Sequence, residues 1–448
     1  MLPIRAFRSV CMAAALAAAT LLPATPAAFA QETLKDGDLV AICGDSITAR
    51  RVYSVYMEAY LLAAAPKARL QATQFGWGGE RAPAFLQRMQ NDVLRYKPTV
   101  ATTCYGMNDG SYAASDPETI ATYKAAMLDI VKKFKEGGVR FIVVGSPGVV
   151  DTGTYGNGKR KTTAEVYNKT LGDLANAAKQ VAADQGVSFA DVHSLMSDVM
   201  AKARARLGED YVVAGMDGVH PSNNGHLIMA HAFLKALGCD GNVGTITVDL
   251  KSGTAKGSDG QKILSSTGAK TELESSRYPF CFPPSTAKPQ DKEKNKDKEV
   301  YTAESILEFL PFQQELNRYT LIVKNAPADA KSLKVTWGKT SKTFPASDLE
   351  KGINLAEAFR EDNPIIPTFA KILEAVQAQQ GLEEPAMMSV ITKLPAWEKF
   401  LGPGATAEDK AALNKMVERM ESKLKTLRDA SSAAAIPVRH TILVEKAE

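Results

Sequence analysis

Between residues 39 and 237, short and mostly apolar runs alternate with longer segments whose apolar positions recur every three or four residues. The runs at 39–43, 70–75, 100–104, 141–145 and 187–190 have the length and content of buried parallel strands. The segments at 50–65, 83–94, 118–135 and 164–184 carry helical periodicity. Strand and helix in alternation predict a parallel sheet covered on both faces, an α/β fold. Ligands of such sheets bind beyond the carboxyl ends of the strands. Ser46, Gly79 and Asn108 follow the first, second and third runs, so the pattern gathers them at one edge.

Beyond Cys239 the pattern changes. Residues 245–250, 319–324, 333–337 and 441–445 alternate or cluster β-formers and predict a small antiparallel sheet, with a turn at 325–329. Residues 289–299 (PQDKEKNKDKE) carry charges of both signs and read as a solvated loop. Phe369, Ile372, Leu373 and Val376 share a helical face. Thr406 and Asp409 fit a capping pattern ahead of Leu413, Met416, Val417, Met420, Leu424 and Leu427. The last β-run returns after these helices, which predicts a helical insertion at about 366–430. The expected division is therefore a catalytic domain at 31–240 and a smaller β-rich accessory domain at 241–448.

Composition adds an address and removes some partners. Arg5 and Arg8 precede an Ala- and Leu-rich stretch at 10–22, then Pro23, Pro26 and Ala28-Phe29-Ala30, the layout of a cleaved export leader. That stretch is short for a membrane span of about 20 residues, so a periplasmic or secreted protein is expected. Loss of the leader takes the formal charge from +4 to about +2, which offers no electrostatic case for nucleic acid or an anionic membrane. No second apolar stretch is long enough to span a bilayer. Cys43 and Cys104 end apolar runs and read as buried thiols. Cys239 and Cys281 lie outside them, where an exported chain could hold a disulfide, and pairing stays open.

Two distant segments carry candidate chemistry: Gly44-Asp45-Ser46-Ile47-Thr48 and Asp217-Gly218-Val219-His220-Pro221. A serine hydroxyl needs a base to take its proton as it attacks. An imidazole titrating near neutrality suits that task, with a carboxylate to hold its other nitrogen. Gln74-Phe75-Gly76-Trp77-Gly78-Gly79-Glu80-Arg81 and Tyr105-Gly106-Met107-Asn108-Asp109-Gly110 each offer a donor of the kind an oxyanion needs. Asp45 and Asp109 are expected to fix loops by accepting backbone hydrogen bonds. Trp77 is a candidate to line the pocket or stack on a sugar ring. His193, His226, His231 and His440 lack metal-ligand spacing, and no metal site is expected.

Gly-Asp-Ser, the glycine of the second segment, Gly-x-Asn-Asp and Asp-x-x-His-Pro, in this order, resemble the four blocks of the SGNH/GDSL hydrolases over roughly residues 38–238. The resemblance implies a three-layer flavodoxin-like sheet. It makes Ser46 the nucleophile, completes the triad with Asp217 and His220, and makes Ser46 N–H, Gly79 N–H and the Asn108 side chain the oxyanion hole. Gly78 adjoins Gly79, which fits the family spacing better. Such chemistry needs no metal or organic cofactor. The substrate class it leaves open runs from phospholipids to acetylated sugars. Ser46 and Gly79 are 33 residues apart and Gly79 and Asn108 are 29, which leaves no evident long apolar lid; by analogy, an exported enzyme with a β-rich second domain would suit acetyl groups on carbohydrate. Lipase-type, acyltransferase and non-catalytic glycan-binding readings are the alternatives. Every assigned residue precedes Asp240, so a chain ending there is expected to act on small esters, provided it folds.

Overall fold

The computed structural model describes residues 32–66, 69–156, 162–282 and 301–447. The expected leader at 1–30 and the charged segment at 289–299 lie outside them. Five parallel strands form the first sheet: β1 (Leu39–Gly44), β2 (Gln71–Gly76), β3 (Val100–Cys104), β4 (Phe141–Gly145) and β5 (Ser188–Ala190). Their order, β2-β1-β3-β4-β5, reverses direction of winding at β1, so the loops after β1, β2 and β3 leave neighbouring strands at the same end.

The helices begin and end where their sequences dictate. α1 (Ser46–Ala49) is capped by Asp45; α2 (Tyr53–Ala64) and α3 (Ala82–Asp92) follow. In α4 (Pro117–Glu136) the Asp116 carboxylate caps the Thr119 N–H, Pro117 opens the first turn, and Lys133 and Lys135 close the last. α5 (Ala164–Gln185) starts at a Thr163 cap; α6 (Val192–Leu207) and α7 (Asn223–Ala236) complete the layers. Every residue of α2 is buried, Glu58 included. A helix apolar on all sides must be covered on all sides, and α2 is flanked by α7 and by a helix from the far end of the chain, α8 (Ile366–Ala386). α9 (Ala407–Ala434), with the expected Thr406–Asp409 capping box, packs on α8.

The second half departs from the sequence expectation. Its strands are β6 (Asn242–Asp249), β7 (Thr254–Gly257), β8 (Gln261–Ser266), β9 (Lys270–Ser275), β10 (Arg318–Lys324), β11 (Ser332–Trp337), β12 (Thr340–Pro345), β13 (Ile353–Asn354) and β14 (Val438–Lys446). They form two sheets, β13-β10-β6-β7 and β12-β11-β14-β9-β8, not one antiparallel sheet. β6 and β10 pair in parallel, because the chain makes β7–β9 before it returns. β14 does return to this region after the helices, between β11 and β9. Glu32–Glu448 form one compact unit. No helix of the described residues is long and apolar enough to cross a membrane. Cys43, Cys104, Cys239 and Cys281 are all free thiols, so no disulfide joins the last two.

Candidate active site

Ser46 opens α1 directly after β1. Gly44 is required there, since a Cβ at that position would lie 2.1 Å from Thr48 Oγ1 and 2.9 Å from the Cys104 carbonyl. Asp45 turns the chain by accepting the Ile47 N–H at 2.9 Å. The Ser46 N–H, in the first turn, has no intrahelical partner.

His220 reaches the serine from across the sheet. Its Nε2 is 2.8 Å from Ser46 Oγ, and its Nδ1 is 2.6 Å from Asp217 Oδ2. Asp217 Oδ1 accepts the N–H groups of Val219 and His220 at 3.0 and 2.9 Å. Partial burial pushes the Asp217 carboxyl up, but the His220 ring and these backbone bonds outweigh it and hold the group well below the usual carboxylate range. Asp217 therefore stays ionised and fixes the imidazole tautomer that leaves Nε2 free to accept a proton. Arg50 Nη2 lies 3.9 Å from Asp217 Oδ2, the oxygen that meets His220.

A buried ion pair seats this loop. Asp151 Oδ1 meets Arg204 Nη2 at 2.5 Å, Asp151 Oδ2 accepts the N–H of Val213 at 2.9 Å, and the Asp151 N–H donates to the Gly218 carbonyl at 2.9 Å. Gly215 takes φ +80°, and a Cβ there would fall 1.8 Å from the His220 carbonyl oxygen. Arg204→Met is expected to destabilise the protein by about 3–5 kcal/mol, because it strands the Asp151 charge. A melting curve checks this, and an unchanged midpoint would mean that Asp151 finds another partner.

The candidate oxyanion donors leave adjacent strands. Gly79 sits in the loop after β2 with φ +72°, exposed, its N–H bonded to no acceptor among the described residues. Asn108, in the loop after β3, donates through Nδ2 to the Glu80 carbonyl at 3.1 Å and to Asp45 Oδ2 at 3.3 Å. Its Oδ1 accepts from Tyr112 at 3.0 Å. One amide thus ties together the loops after β1, β2 and β3, and its longer, weaker bond to Asp45 is the one an oxyanion would displace. Burial raises the Asp45 carboxyl to about 7. Asp109 accepts the N–H groups of Ala82 and Gly106 at 2.9 and 3.0 Å, the loop-fixing task expected of it. Beneath the second loop, Glu80 is clamped by Arg88 and by Tyr105. Trp77 is half-buried, with the Arg88 guanidinium 5.2 Å from its ring centre.

The other histidines have structural surroundings. His226 is buried against Tyr53, and burial, then Arg50 and His220, push its pKa down to about 3. His440 lies between Trp337 Nε1 and Ser275 Oγ, His231 beside Glu315, and His193 Nδ1 near the Gly148 carbonyl. Arg50, Asp151 and Arg204 carry no motif, and sequence reasoning missed them.

Residues 42–228 match the GDSL-like lipase/acylhydrolase family. An acetylxylan esterase from Geobacillus stearothermophilus is 24% identical over 193 residues, which span 42% of this chain and 80% of that protein. A solved structure of an acetylxylan esterase from the same organism covers 46% of this chain and 97% of its own, at 23% identity and a TM-score of 0.38. A gut microbial diltiazem-metabolizing enzyme shares the fold over 93% of this chain and 99% of its own, at 20% identity and a TM-score of 0.71.

Proposed function

We propose, from the match of residues 42–228 to the GDSL-like lipase/acylhydrolase family, an exported serine esterase that removes acetyl groups from carbohydrate. The observation that carries the mechanism is the relay of 2.8 and 2.6 Å from Ser46 through His220 to Asp217. Ser46 Oγ attacks the ester carbonyl as its proton passes to His220 Nε2. The imidazolium, steadied by Asp217, returns that proton to the departing alcohol. Water then enters, gives a proton to the same nitrogen and attacks the acyl-enzyme; the proton goes back to Ser46 as acetate leaves. Charge on the carbonyl oxygen is met by Ser46 N–H, Gly79 N–H and Asn108 Nδ2.

Two observations support a polar alcohol over a lipid. The relative named above is an acetylxylan esterase. Next to Arg50, itself 3.9 Å from Asp217, a cavity of about 410 Å³ is lined by Arg51, Asn223 and Gln377 as well as by Val52, Val55, Tyr56 and Leu373, and its polar groups would meet the hydroxyls of a sugar.

Purified protein should release acetate from acetylated xylo-oligosaccharides, and kcat/KM on p-nitrophenyl esters should fall as the acyl chain grows from acetate to octanoate. A preference that rises with chain length would overturn the acetyl reading, and intact acetylated glycans the carbohydrate one. Asn108→Ala is expected to lower kcat about a hundredfold with little change in KM, since its bond strengthens as the oxyanion forms. A change confined to KM would leave Asn108 a ground-state binding group only.

A further inference from the structure

β2 is an edge strand, and side chains close its open edge. Glu383 Oε2 of α8 accepts the Gln74 N–H at 3.0 Å, and Glu58 Oε1 of α2 accepts the Ala72 N–H at 3.3 Å. Gln379 Nε2 is within hydrogen-bond distance of the Ala72 carbonyl (3.0 Å), Glu58 Oε1 (3.0 Å) and Glu383 Oε1 (3.1 Å). Gln380 Nε2 donates to Glu58 Oε2 at 2.8 Å, and its own oxygen accepts from Ser54. All four of these side chains are buried.

The cluster is short of both charge and protons. α2 contributes Glu58, α8 contributes Glu383, and α9 contributes Arg428, whose Nη1 is 3.9 Å from Glu383 Oε1; β2 contributes only neutral residues. The neighbouring Glu384 is already paired with Arg51. Two buried carboxylates thus share one guanidinium. The two hydrogens of Gln379 Nε2 face three acceptors, and Gln379 Oε1 has no partner among the described residues. One added proton on the carboxylate pair corrects both shortfalls.

The same strand leads into the active site. The Gln74 side chain folds forward to accept the Gly76 N–H at 2.9 Å, Trp77 N–H donates to the Gly44 carbonyl at 3.0 Å, and Gly79 follows. We infer that Glu383 is a positioning residue for the oxyanion loop: with Glu58 and one shared proton it clamps β2 to α8 and so fixes the segment that presents the Gly79 N–H. This rests on the esterase reading of Ser46 and Gly79.

Burial first, and for Glu383 the neighbouring Glu58 charge next, hold both carboxyls above the usual carboxylate range. The sign follows by linkage. Groups with raised pKa bind protons more tightly folded than unfolded, so their contribution is complete below the ordinary carboxylate pKa and is lost as pH rises through the folded values. The clamp therefore loosens on the alkaline side.

The test compares wild type, Glu383→Gln and Glu383→Ala on a short-chain aryl acetate, corrected for spontaneous hydrolysis. Wild-type kcat is expected to fall about threefold or more between about pH 7 and pH 9, with KM nearly constant. Glu383→Gln keeps an acceptor for Gln74 N–H without the charge, and its profile should be flatter over that range. Glu383→Ala should lose about tenfold in kcat near pH 7, most of it restored by glutamine, and its deficit against wild type should narrow towards pH 9. Melting temperatures over the same range read the shared proton without any turnover: wild type should lose stability with pH more steeply than Glu383→Gln. Identical pH profiles of kcat and melting in wild type and Glu383→Gln would overturn the clamp. A wild type that neither hydrolyses the ester nor takes a fluorophosphonate label would overturn the esterase reading instead.

Discussion

Ser46→Ala is expected to reduce ester turnover by about ten-thousandfold or more, and to leave the melting temperature unchanged. The substitution removes one oxygen whose recorded side-chain partner is His220 Nε2. Asp45 still caps α1, Asn108 still ties the three loops, and Asp217 still holds the imidazole. What is lost is the only group on the relay that can form the acyl-enzyme; a small residue of activity should survive, since the oxyanion donors still act on water's attack. A fluorophosphonate probe gives the cleaner readout, because it reports the nucleophile and not the substrate. Labelling that persists in the alanine variant would move the nucleophile to another residue.

Ending the chain at Asp240 is expected to abolish cooperative folding, the largest structural effect we foresee. Every catalytic candidate would remain, but α2 would lose the cover that its all-buried sequence demands. Tyr56 and Tyr60 pack edge-on against Phe280 and Phe312, the Tyr60 hydroxyl donates to the Leu316 carbonyl at 2.7 Å, and Arg277 donates to the Ala64 carbonyl at 2.7 Å. The edge of β2 would lose Glu383 and Gln379. Each buried polar group left unpaired costs about 1–3 kcal/mol, and a domain is stable by only about 5–15. Soluble yield and a thermal melt monitored by circular dichroism decide the matter. A soluble truncated chain that melts cooperatively and hydrolyses p-nitrophenyl acetate would show that the first half carries its own stability.

The first sheet was legible because its inner strands are buried on both faces, which writes β1 and β4 as unbroken apolar runs and β3 as a mostly apolar one. β3 and β4 coincide with their runs, β1 extends one residue further, β2 is displaced by one residue, and β5 starts one residue later. In the second half, β7, β8 and β12 are largely exposed or half-exposed and carry Lys, Ser, Thr and Gln, so they gave no apolar signal. Pairing direction was also out of reach: β6 and β10 look alike whether parallel or antiparallel, and only the path of the chain decides. At the site, Ser46, Asn108, Asp217 and His220 stand in short motifs because chemistry fixes their local spacing. Asp151, Arg204, Glu58 and Glu383 act through partners far along the chain, where no spacing rule applies.

The four free thiols of the described residues have a practical use. Cys43 is the penultimate residue of β1, with Cys104 on the neighbouring strand; Cys281 is buried beside Asn363, and Cys239 alone of the four is partly exposed, just beyond α7. Burial raises the pKa of each, Cys239 and Cys281 to about 12, and a thiol that does not ionise does not react. The protein therefore carries a native set of clocks. Brief pulses of an alkylating reagent during unfolding, read by peptide mass, would time the opening of the first sheet at Cys43 and Cys104 against that of the second half at Cys281, with no label engineered into the chain.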